Sequence, residues 1–429
     1  MPEILENPRA SCLMGGALGT LLAIPRVVPI LHTGPGCSQM THLGQIHQGG
    51  LKAESYMVTP PCTVMLEKEI VFGGLDRLRE TIRGAIEVFD GDLYCVLTGC
   101  TAGIIGDDVG SVIAEFQDVP LVFADTAGFK GDTYAGYETA LRVLSDALTR
   151  PRAGAPDRRT VNLFGIVPYQ DLYWQGNLNE IRRILARLGV KTNTFFGVEE
   201  SVGAFRQAAR AACNLIFSPW LAREVEQVFR DRHGVESLRF DCCPMGPTET
   251  TRFVRAVGGA LGLDPARVEA VIAEEEAYVY SFFSTLAGYM EQHRVALVGD
   301  AGTVTATLRF LVNDFGQIPV LAVVTDQIED ADARAAVEAA LGALEFPRPP
   351  AVFLENDQWR IKEILRAYRD EITQIYGSAL ERETALELRC KYVNHTFPCS
   401  EKLIFDKGYA GYRGCLKLLE DIHTRNHLI

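Results

Sequence analysis

The segment LYCVLTGCTAGIIGDDVGSVI, residues 93–113, decides the fold. Its first five residues are apolar without the alternation of a half-exposed strand, so they read as a parallel strand covered on both faces. Thr98 and Gly99 turn the chain, and from Cys100 onward small and apolar residues lead into a helical pattern. Strand, glycine turn and helix in that order open a βαβ unit. The same order recurs along the chain. Residues 27–31 are strand-like, and 120–124, 160–167, 191–196, 214–218, 294–298, 318–325 and 351–354 read as further buried strands. Helical patterns cover 67–89, 178–188, 204–212, 265–293, 304–315, 331–344 and 362–375. The predicted fold class is α/β, with three Rossmann-like, doubly wound parallel-sheet domains. The polar, Pro- and Arg-rich run TRPRAGAPDRR, residues 149–159, is the first expected linker, and the second boundary falls before the strand VALVG. The expected domains are therefore 1–150, 160–290 and 291–429.

A Rossmann-like topology raises the question of nucleotides, but no G-x-G-x-x-G follows any of these strands and no G-x-x-x-x-G-K-[ST] occurs. Nicotinamide, flavin and ATP are thus not expected on this chain. A net charge of −13 over 429 residues repels a phosphate backbone, and no Lys/Arg run is interleaved with aromatics, which argues against nucleic acid as a partner. The N-terminus lacks a basic segment followed by an apolar one, and apolar runs are broken well short of the roughly 20 residues of a membrane span. The expected location is the cytoplasm, without membrane attachment. Eleven cysteines, an odd number spread over a long acidic chain, fit metal ligation or buried free thiols better than a disulfide framework. No C-x-x-C occurs, so zinc ribbons and thioredoxin motifs are excluded.

Three of the thiols share one local grammar. Cys100 follows the strand of the opening segment, Cys37 follows the strand-like 27–31 through Gly34-Pro35-Gly36, and Cys12 precedes the helical run 17–24. At such junctions open backbone N–H groups favour a thiolate. Gly15, Gly16, Gly34, Gly36 and Gly99 leave room for a bulky inorganic group to approach the backbone. Cys95 and Cys213 read as core residues, Cys62 as a packed thiol near these blocks, and the adjacent Cys242 and Cys243 as side chains on opposite faces of an extended segment. Cys390, Cys399 and Cys415 carry no assigned role. His32, His42 and His47 fit no metal-ligand spacing and are expected at the surface or a subunit contact, and Asp107-Asp108 are expected to serve a helix N-terminus.

The blocks SCLMGGA (11–17), VPILHTGPGC (28–37), EKEIVFGG (67–74) and TGCTAGIIGDDV (98–109) resemble the nitrogenase component-1 superfamily. So do IYGSALERETALELRCKYVNHTFP (375–398) and GYAGYRGCLKLLEDI (408–422). Because CSEKLIFDKGYA, residues 399–410, contains no histidine, the resemblance is to the β-type rather than the cofactor-bearing α-type subunit, and His395 lies too early to replace the missing ligand. The resemblance implies that Cys12, Cys37 and Cys100 are cofactor-binding metal ligands to a P-cluster-type 8Fe-7S cluster shared with an α-like subunit, in an α2β2 heterotetramer. It implies electrons from a separate ATP-dependent iron protein homodimer, and no catalytic residue on this chain. The family's redox-linked serine falls on Ala127 of DTAGFKG. That change and the short chain point to a nitrogenase-like oxidoreductase acting on a methylthio-alkane C–S bond. The alternatives are a cofactor-assembly scaffold, an alternative nitrogenase and a cluster-free structural partner.

Overall fold

Twelve strands form three separate parallel sheets in the computed structural model, which describes residues 5–39, 59–151, 154–286, 291–345, 348–399 and 401–424. The first sheet has the order β1-β2-β3, from β1 (Val27–His32), β2 (Leu93–Thr98) and β3 (Leu121–Ala124). The second runs β5-β4-β6-β7, from β4 (Asp157–Phe164), β5 (Lys191–Asn193), β6 (Ala211–Phe217) and β7 (Ser237–Phe240). The third runs β10-β9-β8-β11-β12, from β8 (Arg294–Gly299), β9 (Ile318–Val324), β10 (Ala351–Leu354), β11 (Gln374–Gly377) and β12 (Lys391–Asn394). Every pairing is parallel. The six residues of β2 are all buried, as an apolar run without alternation requires.

One apolar core runs through all three sheets, joining Leu97 of β2, Leu163 of β4 and Leu297 of β8. Two smaller clusters fill the outer faces. Val28, Ile30 and Val96 pack on Leu78 and Ile82, and Val298 and Val323 pack on Ile361 and Leu365. Each such buried aliphatic side chain contributes about 2 kcal/mol. The helix Leu75–Val88 reaches the core because Leu78, Ile82 and Ala85 recur on one face. The two ends of the chain do not stay with their neighbours in sequence: the last helix, Gly411–His423, packs against Trp174–Arg187, Gly246–Ala260 and Pro265–Leu286 of the middle unit. Near the other end, Arg9 reaches Glu381 in the third unit. Among the described residues no helix is long and apolar enough to cross a membrane.

Several elements differ from the sequence expectation for identifiable reasons. The pattern at 67–89 divides into Glu67–Phe72 and Leu75–Val88, because Gly73 takes φ +91° and the Gly74 N–H leaves the helix to donate to the Asp107 carboxylate at 3.0 Å. The pattern at 204–212 ends early, with Ala211 already in β6. The pattern at 362–375 becomes the helix Gln358–Ala367 followed by β11. β7 is a short edge strand with no fully buried residue, and so it has no apolar run to announce it.

The helices Leu13–Leu22 and Thr133–Leu148 touch backbone to backbone. A Cβ on Gly16 would overlap the Thr133 carbonyl, and one on Gly136 would overlap the Leu13 carbonyl. Gly136→Ala is therefore expected to force the helices apart at a cost of about 3 kcal/mol, measured as a loss of stability in urea. This contact also sets the place of Cys12, which immediately precedes Leu13–Leu22.

Candidate metal centre

Cys12 is the N-cap of Leu13–Leu22, with extended backbone at φ −73° and ψ 171°, and its thiol is exposed. A β-bridge to Asp132 and a hydrogen bond from the Leu13 N–H to the Gly131 carbonyl (2.8 Å) hold it beside the loop that follows β3. Cys100 is the first residue of the helix Cys100–Ile105, reached from β2 through an extended Gly99. A side chain at 99 would overlap Thr33, so glycine is required for β1 and β2 to deliver their ends together. Cys37 lies in a helical turn at 35–39 just beyond β1, and its thiol is exposed. Because β1 and β2 are neighbours in register, His32 against Thr98, Cys37 and Cys100 follow the carboxyl ends of adjacent strands.

Two of the three thiols converge on one residue. A Cβ at Gly128 would stand 3.0 Å from the Cys12 sulfur and 3.1 Å from the Cys100 sulfur, so the sulfurs are at most about 6 Å apart with a bare glycine between them. Cys37 lies beside Cys62, whose thiol is pushed up mainly by burial and further by the neighbouring Cys37, against the opposing hydrogen bonds from the Val64 N–H and the Ser38 hydroxyl. Among the described residues no three His, Cys, Asp or Glu side chains converge to hold a single ion.

Residue 127 is not the position that faces the thiols. Ala127 is fully buried and its Cβ presses on Gly103, one turn into the helix that Cys100 begins. The Thr126 hydroxyl is also engaged, donating to the Thr98 carbonyl at 2.9 Å. The residue whose side chain would enter the space between the sulfurs is Gly128. No motif distinguishes that glycine in the sequence; only the approach of two distant segments singles it out.

His32 corrects a second expectation. It is fully buried, not at the surface, with Nε2 3.0 Å from Asp107 and Nδ1 3.3 Å from Thr63. Burial lowers its pKa despite the opposing pull of Asp107. Asp107 thus ties β1 to the Gly73-Gly74 break, whereas Asp108 does cap a helix, accepting from the Ser111 N–H at 3.2 Å. His42 and His47 lie outside the described residues.

The other thiols follow their context. Burial pushes Cys95 in β2 up to about 12 and Cys213 in β6 up to about 11. Burial pushes Cys242 up to about 12 and raises the Cys243 thiol well above its ordinary value, with Asp171 and Cys242 adding to the rise at Cys243. Several large apolar side chains are exposed on the segments near Cys100 and Gly128. Phe72 is 82% exposed, Ile104 74%, Val71 71% and Phe129 61%. Large apolar side chains grouped on one face in this way mark a surface that another molecule covers.

Known proteins share both the sequence and the shape. The chain is 26% identical to the nitrogenase molybdenum-iron protein beta chain of Bradyrhizobium diazoefficiens, over 97% of its own length and 83% of that protein's. It is 22% identical to the beta chain of the same name from Azotobacter vinelandii, over 96% and 82%. The solved structure "Nitrogenase Cp1 at pH 6.5" superposes with a TM-score of 0.80 at 18% identity, covering 98% of this chain and 93% of that one. Residues 12–426 match the family described as "Nitrogenase component 1 type Oxidoreductase", and the protein belongs to that family.

Proposed function

We propose that the chain is the β-type subunit of a nitrogenase-like two-component reductase. In this reading Cys12, Cys37 and Cys100 hold one half of a P-cluster-type 8Fe-7S cluster shared with an α-like subunit, within a cytoplasmic α2β2 heterotetramer. The observation that carries it is the Gly128 cradle: two thiols from distant segments meet across a residue that has no side chain to fill the space. Cys12 sits at the N-terminus of a ten-residue helix, where open N–H groups and the helix dipole favour a thiolate. The exposed Val71, Phe72, Ile104 and Phe129 supply apolar area for the α-like partner to bury. The β-type assignment is supported by the relatives, which are beta chains, and by His395, whose Nε2 is already engaged with Thr307 at 2.6 Å.

When bound, such a cluster stores and passes electrons between an ATP-dependent iron protein homodimer and the cofactor of the α-like subunit. This chain's part is to hold it, to keep water from its inner side and to bind the partner. For the substrate we propose the C–S bond of a methylthio-alkane in place of dinitrogen. That choice rests on the absence of a hydroxyl at residue 128, the glycine between the two thiols. Each of the three sheets, in this reading, is the centre of one domain, at 1–150, 160–290 and 291–429.

The test is the iron content of the complex purified with its α-like partner. Cys37→Ala and Cys100→Ala should lose the cluster and loosen the heterodimer. Cys95→Ala, buried in β2, should cost only about 1 kcal/mol and leave the iron in place. Full iron in Cys100→Ala would overturn the assignment. A complex that keeps its iron, reduces no methylthio-alkane and hands its cluster to another protein would be an assembly scaffold instead.

A further inference from the structure

A second cavity is lined by residues that follow strands of the second and third sheets. In the middle sheet the strand order reverses between β4 and β6, so the segments following these strands leave in opposite directions. In the third sheet the reversal falls between β8 and β11. Open α/β sheets take ligands at the carboxyl ends of strands at such points. Here residues after β4, β6, β8, β9 and β12 line one cavity of about 60 Å³, whose lining includes none of Cys12, Cys37 and Cys100. A space of this size holds a few waters or one small organic molecule.

The chemistry of the walls is one-sided. Asp171, Asp300 and Asp326 line the cavity, and no Lys or Arg does. Burial pushes Asp171 up to about 7, Asp326 likewise, and raises Asp300. Trp220, Tyr173 and Tyr409 supply aromatic surface. His395, 1% exposed, lines the same cavity; with Nε2 on Thr307, its Nδ1 has no partner among the described residues. Burial keeps this imidazole neutral, its pKa lowered to about 3. In the tautomer whose Nε2–H donates to the Thr307 hydroxyl, Nδ1 is a bare acceptor.

We propose that this cavity binds a small primary alkylammonium ion, its N–H donors shared among the aspartate carboxylates and His395 Nδ1 and its alkyl group against the aromatic rings. An anion finds no donor side chain of positive charge there. A metal ion finds no convergent set of three ligands among the described residues. An ammonium group needs only acceptors spread around it, and aromatic faces add attraction for a cation. The inference does not depend on the cluster assignment, since none of these residues is near Cys12, Cys37 or Cys100 in the chain.

Methylammonium is the probe, titrated into the intact complex and followed by calorimetry and by the NMR signal of its labelled methyl group. Saturable binding at one site per chain is expected, undisturbed by an equal concentration of sodium or potassium. Asp326→Asn should weaken it at least tenfold. Asp326 also accepts from the Tyr134 hydroxyl (2.7 Å) and the Ala301 N–H (3.0 Å), so a second variant is needed that leaves the charges alone. Ala306→Leu, which fills the cavity from the helix Ala301–Arg309, should abolish binding with iron content unchanged. Absence of saturable binding, or equal binding in both variants, would overturn the proposal, and displacement by sodium or potassium would reassign the cavity to a metal cation.

Discussion

Gly128→Val is expected to strip the iron from the complex while the chain stays folded. The residue begins a short 3-10 turn at Gly128–Lys130, is half-buried, and its φ lies outside the left-handed region, so valine meets no backbone strain there. What valine does meet is the pair of sulfurs. Its Cβ would sit 3.0 and 3.1 Å from Cys12 and Cys100, well inside ordinary contact, and its two methyl groups would extend into the space between them. A thiolate ligand must present a free face to its metal, and that face would be covered by hydrocarbon. Iron per chain should fall to the background of Cys100→Ala, while circular dichroism and the urea midpoint stay close to the parent. Gly128→Ser separates two explanations. If bulk alone matters, iron falls in proportion to volume; if the site tolerates an oxygen donor, serine retains more iron than alanine. A valine variant with full iron would show that residue 128 does not border the cluster, and the cradle argument would fail with it.

The second large effect concerns how the Cys12 segment is anchored. Arg9, three residues before Cys12, is 1% exposed and enters the third unit, where its guanidinium meets the fully buried carboxylate of Glu381. Nη1 also donates to Ser378 Oγ at 3.0 Å, Nη2 to Gln358, and the Arg9 carbonyl accepts from Gln170 at 2.9 Å. Glu381 in turn accepts from the Ser378 N–H at 2.8 Å, and of the guanidinium nitrogens only Nε is left without a partner among the described residues. A buried pair of this kind contributes little relative to an apolar replacement, but breaking it strands one charge without water. Arg9→Ala is therefore expected to cost about 3–5 kcal/mol, seen as a lower urea midpoint for the unit that contains β8 to β12. The paired change Arg9→Met with Glu381→Leu should recover most of the loss. If Arg9→Ala matched the parent, the ion pair would not hold the N-terminal segment. Because the same segment carries Cys12, Arg9→Ala should also lower iron retention, whereas the double variant should restore it.

The strands and the cysteine junctions were legible in the chain because burial leaves a local record. A strand covered on both faces has to be apolar at every position, as β2 is, and the turn after it has to be small, as Gly99 is. Periodicity therefore determined the α/β class and the sites of Cys12, Cys37 and Cys100 at the ends of elements. The resemblance in the motif blocks rested on the same short-range information. What periodicity does not record is the partner across space. The split at Gly73-Gly74 needs the Asp107 carboxylate, supplied from 33 residues away. The burial of His32 needs Asp107 and Thr63 to satisfy both ring nitrogens, and without them an imidazole belongs in water. The sequence expectation placed the position beside the cluster at Ala127, yet the helix from Cys100 sits on that side chain and leaves Gly128 facing the sulfurs. Only the closing of Leu13–Leu22 onto Thr133–Leu148, at two glycines where the backbones touch, brings Cys12 to Cys100. Hydrophobic pattern is set residue by residue along the chain, whereas a ligand set is fixed by the packing of elements distant in sequence.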